Sequence, residues 1–438
     1  NISYSRNMKR LIYVLSLMNL LIYSQTAADI RELKKAGLEH FRYEAYREAV
    51  EYLTKYYASH PEDNEIAAVI GVSYVLGYVD SKERAIPYLE KAVDAGIAPD
   101  SLPYYLALAY HYSYKFDDAI KKYEEFIKKG GKKELIALAK RNISQCLTAK
   151  ELIKHPVLCR VKNLGSKINS NAPDYYPYIT PDETYLFFNS RRSSRNMGYQ
   201  AADLFYTSDI YVSTAKKGEW QAPANIGPVI NTADDEEICG MSLDGNVMFL
   251  HRASIDYVGD ILVSYRKGKS WTTPVPLPPP INSKYNEVTA SLSITGDSIF
   301  FASDRPEGKG GYDIYLCKKL PTGDWGQPLN LHEINTQWDE LFPFILADGK
   351  KLFFTSNSDL SMGGYDIFYS TQSENGEWSK PVNVGHPVNT PLDETFVSFN
   401  ITGRIGYISG FRKENYGHLD LYSVEFLEAE QQLSVLRG

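Results

Sequence analysis

Apolar residues change their period once along this chain. From residue 29 to about 154 they recur at helical spacing, as in "LKKAGLEHFRYEAYREAVEYLTKYYASHP",. From about Val157 the period shortens. Runs such as "KLFFTS" and "SIFFAS" alternate with turn clusters rich in Gly, Pro, Asn and Asp,. The pattern predicts an α then all-β, multidomain chain, with a helical domain over 29–154, a strand domain over 157–427 and a linker over 428–438.

The helical segment repeats itself. One copy carries Gly37, Ala49, Leu53 and Pro61, the next Gly71, Tyr74, Ala85 and Leu89, and a third Ala107, Tyr110, Ala119 and Tyr123. Small residues let paired helices approach closely, and bulky ones fill the gap to the next pair. The pattern resembles the tetratricopeptide repeat. Three copies followed by "KKELIALAKRNISQCLTAKELIK" imply a short solenoid with a capping helix,. Such arrays present a concave face to a protein partner; Tyr74, Tyr104, Tyr105, Tyr110 and Tyr112 suit that contact and suit internal packing equally.

The strand segment repeats on a longer period. An "IN" or "VN" pair opens each unit at Ile168, Ile230, Ile281, Ile334 and Val388, so the unit is about 50 to 60 residues, the size of one propeller blade,. Five residues after each Asn stands an acid: Asp174, Glu236, Glu287, Glu340 and Glu394. An Asp opens the third strand at Asp209, Asp260, Asp313, Asp366 and Asp420. Eleven or twelve residues later come Trp220, Trp271, Trp325 and Trp378, with no counterpart in the fifth copy. "VLCRVKNLGSKIN" at the front matches "WSKPVNVGHPVN", aligning Asn163 with Asn383 and Gly165 with Gly385. The expectation is a five-bladed β-propeller closed by a strand from the start of the domain, which leaves no open sheet edge.

Repetition within the chain has a structural explanation for most of these residues. The Asp series can bond turn amides, the Trp series can cover the seam between blades, and Gly in "GKGGYD" and "SMGGYD" is expected to supply positive φ. The five acids could instead ring one mouth of a central channel and bind a cation or a polyhydroxylated ligand. Each could equally bond a neighbouring backbone or an arginine such as Arg192 or Arg305. Because a structural role repeats in every blade whereas a site breaks symmetry, the structural reading is preferred.

Nothing in the sequence singles out a catalytic group. Glycosidases need two carboxylates in unlike environments, and these acids stand in like contexts. The eight histidines fall at no metal-ligand spacing, and neither a Gly-x-Ser-x-Gly elbow nor a phosphate-cradling loop occurs,. The expectation is no enzyme, no cofactor and no metal.

Charge and export signals narrow the class of partner. With a formal charge of −7 and no basic block, the chain lacks a nucleic-acid groove,. "MKRLIYVLSLMNLLIYSQ" has the layout of a secretory signal peptide, with a start at Met8 and cleavage near Ser24; removing residues 1–24 brings the charge to −10,. No Cys stands at the cleavage site for a lipid anchor. Cys146, Cys159, Cys239 and Cys317 are too few to frame so long a chain, and buried thiols are expected, a Cys146–Cys159 bridge being the alternative,.

Signal peptide, tetratricopeptide array, capping helix and blades reading "DIY…GxW…P(V/L)N(V/L)…IN…DE" together resemble exported Bacteroidota envelope proteins with TolB-like, WD-repeat-like propellers, among them a type IX secretion component. The resemblance covers residues 30 to 427. It implies a periplasmic, outer-membrane-associated scaffold whose partners are other envelope or secretion-machine proteins. Such proteins continue into a regulatory-like sandwich and an OmpA-like domain, so peptidoglycan is an expected partner only through a domain beyond Gly438. The rival expectation is a glycan-binding or glycan-cleaving propeller, for which the Tyr-rich "APDYYPY" at 172 to 178 is the main support.

Overall fold

The structure, a computed structural model, describes residues 29–193, 196–253 and 259–427. The signal-peptide and linker expectations lie outside these residues. The described chain falls into two compact units that divide between Leu106 and Ala107.

The first unit holds helices α1 (29–42), α2 (Tyr46–Tyr57), α3 (Asn64–Leu76) and α4 (Ala85–Asp94), and α5 (Leu102–Tyr112) begins in it. Their pairing follows the small-residue pattern. A Cβ on Gly37 would strike Leu53, and one on Gly71 would strike Leu89, so each glycine admits a leucine of the following helix,. Ala49, Leu53, Ala85 and Leu89 are all fully buried. Asp63 caps α3 by accepting from the Ile66 amide and also binds Lys34 at 2.7 Å, which fixes α1 against the start of α3,.

The second unit contains the rest of α5, α6 (Phe116–Lys129), α7 (Lys133–Lys154) and five antiparallel sheets. Blade 1 is β2 (Asp174–Ile179), β3 (Tyr185–Ser190) and β4 (Asp209–Lys216), with β5 (Glu219–Trp220) and β6 (Ala224–Asn225) both pairing β4. Blade 2 is β7 (Glu236–Met241), β8 (Val247–Arg252), β9 (Leu262–Lys267), β10 (Ser270–Trp271) and β11 (Val275–Pro276). Blade 3 is β12 (Glu287–Leu292), β13 (Ser298–Ser303), β14 (Asp313–Lys318) and β15 (Leu329–Asn330), and blade 4 is β16 (Glu340–Ile345), β17 (Lys351–Ser356), β18 (Asp366–Thr371) and β19 (Val382–Asn383). Blade 5 joins β20 (Val397–Phe399), β21 (Ile405–Gly410) and β22 (Asp420–Phe426) to β1 (Cys159–Asn163), whose register runs from Cys159 against Phe426 to Asn163 against Tyr422. The chain is therefore a five-bladed propeller sealed by its first strand.

Aromatic rings fill the space between the innermost strands. Tyr176 of blade 1 and Phe342 of blade 4, which are not adjacent blades, lie 4.5 Å apart, and both touch Phe396 of blade 5. Tyr176 and Phe342 carry positive φ, at 52° and 53°, where the register of their strands is irregular. The backbone kink turns each ring inward. The tryptophans close the seams: Trp220 meets Tyr407 of blade 5, Trp271 meets Phe187 of blade 1, and Trp378 meets Phe300 of blade 3.

One expectation needs revising, and one alternative falls away. The glycines of "GKGGYD" and "SMGGYD" have no positive φ; a Cβ on Gly310 would run into the Trp338 carbonyl, and one on Gly363 into that of Pro391. They are glycines because the next blade's linker passes against their backbone. The four cysteines are free, with Cys146, Cys239 and Cys317 buried, so the Cys146–Cys159 alternative is not realised.

Candidate functional site

One polar cassette is repeated around the ring. The Asn of each "IN" or "VN" pair acts as a spare strand residue. Asn335 accepts from the Ile314 amide at 2.8 Å and donates to the Ile314 carbonyl at 2.9 Å; Asn169, Asn231, Asn282 and Asn389 do the same to Leu421, Ile210, Ile261 and Ile367. Asn163, Asn225, Asn330 and Asn383 donate to the third-strand carboxylates of Asp420, Asp209, Asp313 and Asp366 at 2.7 to 2.8 Å. Pro276 stands at this position in blade 2.

The five acids of the sequence pattern are all fully buried. Each accepts from the backbone amide and hydroxyl of a Ser or Thr four residues earlier. For Asp174 these groups are on Ser170, for Glu236 on Thr232, for Glu287 on Ser283, for Glu340 on Thr336 and for Glu394 on Thr390. Four acids also hold an arginine: Arg192 on Asp174 at 2.6 Å, Arg252 on Glu236 at 2.7 Å, Arg305 on Glu287 at 2.9 Å and Arg412 on Glu394 at 3.1 Å. The same guanidinium donates to the carbonyl of the preceding linker, that of Ile168, Ile230, Ile281 or Val388. Arg192 lies over the Phe188 and Tyr211 rings, and Arg305 over Phe301 and Tyr315. A buried carboxylate is tolerated because a cation and several donors surround it.

Blade 4 departs from this plan. "SNSDLSMGGYD" stands where blade 3 has "SDRPEGKGGYD", so Ser358 replaces the arginine. Among the described residues no Lys or Arg pairs with Glu340; its remaining donor is the Ser356 hydroxyl at 2.7 Å. Burial pushes the Glu340 carboxyl up to about 7. It does the same to Glu394 even beside Arg412, and raises Glu236 as well,.

The same blade receives the helices of its unit. Gln145 of α7 donates to the carbonyls of Asn357 and Ser358 at 3.2 and 3.0 Å, and the Thr148 hydroxyl donates to that of Asp359 at 3.2 Å. His111 reaches the Met362 carbonyl through Nε2 at 2.7 Å, and burial drives its imidazole down to about 4, so it is the neutral ring that donates,. Arg141 lies over the Trp338 ring at 4.5 Å,.

The remaining candidates are buried or half-buried. Tyr74 and Tyr104 are buried, and Tyr105, Tyr110 and Tyr112 are half-buried. In "APDYYPY", Tyr175 and Tyr178 are buried; the Tyr175 hydroxyl bonds Glu237 and Ser208 at 2.5 and 2.8 Å. Glu237 itself is raised by burial. No cluster of His, Cys, Asp and Glu suited to a metal occurs among the described residues.

No protein-family model matches the chain, and no curated protein matches it. Among solved structures it is similar to TolB from Acinetobacter baumannii, at 17% identity over 59% of this chain and 55% of that one, with a TM-score of 0.34. The chain thus spans about half of that TolB. It is also similar to a putative TolB from Agrobacterium tumefaciens (14% identity, 62% and 98% covered, TM-score 0.32) and to an α-L-arabinofuranosidase from Lactobacillus brevis (15%, 58% and 90%, 0.32).

Proposed function

We propose that the protein is a non-enzymatic scaffold of the cell envelope that joins partners through its helices and its propeller. The observation that carries this reading is the keying of α7 and His111 onto blade 4. Four side chains, those of His111, Arg141, Gln145 and Thr148, spend polar or cationic groups on the 338–362 stretch, building a helical surface and a propeller surface into one unit. Two surfaces on one chain raise the effective concentration of one partner near another. Four of the five repeated carboxylates support the absence of catalysis, since each is fully buried against an arginine of its own blade,.

On this reading the helices are a tetratricopeptide solenoid, and Gly37, Gly71 and Ala107 are its small packing positions. The exported, periplasmic location rests on the leader-like N-terminus. The layout resembles that of the type IX secretion component PorE, which makes outer-membrane secretion proteins the partners to seek. The test is affinity capture from envelope extract by the full chain, with quantitative mass spectrometry. Enrichment of a defined set of envelope proteins is expected. Retrieval of polysaccharide alone, or turnover of a polysaccharide substrate, would overturn the scaffold reading in favour of a glycan-acting propeller.

A further inference from the structure

The missing arginine of blade 4 leaves its binding groups behind. The Phe354 and Phe368 rings stack 6.0 Å apart, as Phe301 and Tyr315 do beneath Arg305 in blade 3 at 5.9 Å. The Ile334 carbonyl corresponds to the Ile168, Ile230, Ile281 and Val388 carbonyls that each accept a guanidinium N–H. It is buried and accepts no hydrogen bond among the described residues. Glu340 completes the set, wholly buried and without a cation. A cavity of about 320 Å³ adjoins these groups, with Glu340, Ile334, Phe354, Ser356 and Phe368 in its lining and Leu360 and Pro381 beside them.

We propose that this cavity is a receptor for a guanidinium group from outside the blade. The chemistry is written four times in the same ring: a carboxylate and a linker carbonyl hold a planar cation that donates in two directions at once, and for Arg192, Arg305 and Arg412 an aromatic face joins them,. A rounded ammonium satisfies the carboxylate and carbonyl less well and stacks poorly. Lys309 and Lys380 also line the cavity, against Glu333, and the Lys309 ammonium is engaged by the His332 and Asn335 carbonyls. Attraction for the guanidinium therefore comes from the floor, not from the entrance. The inference does not depend on the scaffold reading, because it follows from one blade alone.

The test is binding of agmatine to the full chain, monitored by saturation-transfer NMR and calorimetry, with putrescine, which has the same charge and an ammonium in place of the guanidinium, as the comparison. Saturable agmatine binding is expected, at least fivefold tighter than putrescine. Glu340→Gln, which keeps shape and hydrogen bonds, weakens it at least tenfold, and Ser358→Arg abolishes it by refilling the slot. Agmatine binding that is absent, or unchanged in both variants, overturns the proposal. Binding seen only in Lys309→Met overturns it too, by making Lys309 the resident cation. A capped Gly-Arg-Gly peptide separates the sources: binding equal to agmatine supports an arginine of a partner protein, and exclusion of the peptide supports a free guanidinium compound. Envelope-protein capture unaffected by Ser358→Arg leaves the scaffold reading intact whichever way the slot behaves.

Discussion

Asn163 donates to the Asp420 carboxylate at 2.8 Å across a sequence separation of 257 residues. Asn383 makes the same bond to Asp366 within blade 4 at 2.7 Å and a separation of 17. The bond is the same; only the length of chain it closes differs. Asn163→Ala leaves a buried carboxylate short of a donor, and burial already pushes Asp420 up to about 6. A loss of about 1–3 kcal/mol is expected in urea unfolding. Proteolysis should then release the 157–165 segment before any other strand, whereas Asn383→Ala should lower stability without that release.

Arginine removal and serine filling should have opposite signs. Arg305→Ala strands a fully buried Glu287 and is expected to cost about 3–5 kcal/mol. Ser358→Arg gives Glu340 the cation that its counterparts have and should raise the melting temperature by a few degrees. Differential scanning calorimetry on both variants checks the pair, and a melting point lowered by Ser358→Arg would show that the slot has closed.

The docking of His111 predicts an acid-side loss of stability. Its folded pKa of about 4 lies below the ordinary 6.5, so the unfolded chain binds the extra proton in between. Stability attributable to His111 is complete above 6.5 and is lost as pH falls towards 4, on the order of 3 kcal/mol in all. Glu340 and Glu394, raised from 4.5 to about 7, work in reverse: their contribution is complete below 4.5 and is lost as pH rises towards 7. Difference curves of wild type against His111→Gln and against Glu340→Gln, by urea unfolding at each pH, should therefore slope in opposite directions.

Glycine at the blade junctions is set by contact. Gly363→Ala drives a methyl group into the Pro391 carbonyl and should cost about 1–3 kcal/mol,. Gly323 has φ +92° but open space around it. Gly323→Ala is expected to cost about 1 kcal/mol, from backbone strain alone. Chemical denaturation ranks the two.

Five copies of one unit make the blade count, the split fifth blade and the Arg192 and Arg305 pairings legible before any contact is known, because a residue type that recurs in register has one role to satisfy in every copy. The replacement of Arg305 by Ser358 can be seen in the aligned copies too, though only the stacked rings and the bare Ile334 carbonyl give it meaning. Repetition hides other things. It ties the "IN" asparagines to the start of each unit, while their bonds run back to the strand just left. It also makes the junction glycines look like turn residues. The seating of Gln145 and His111 has no repeat at all. Each is a single polar residue on a helix, and nothing in helical periodicity says which loop carbonyl, more than 200 positions away, will receive it.

Because β1 takes β22 as its strand partner among the described residues, a chain made from its N-terminus emerges with a strand that has no such partner until Phe426 has followed it. Four complete blades can form in that interval, and the fifth cannot. Cys159–Asn163 thus waits, through the whole time its ring-mates are being made, for the one segment that can latch the circle shut.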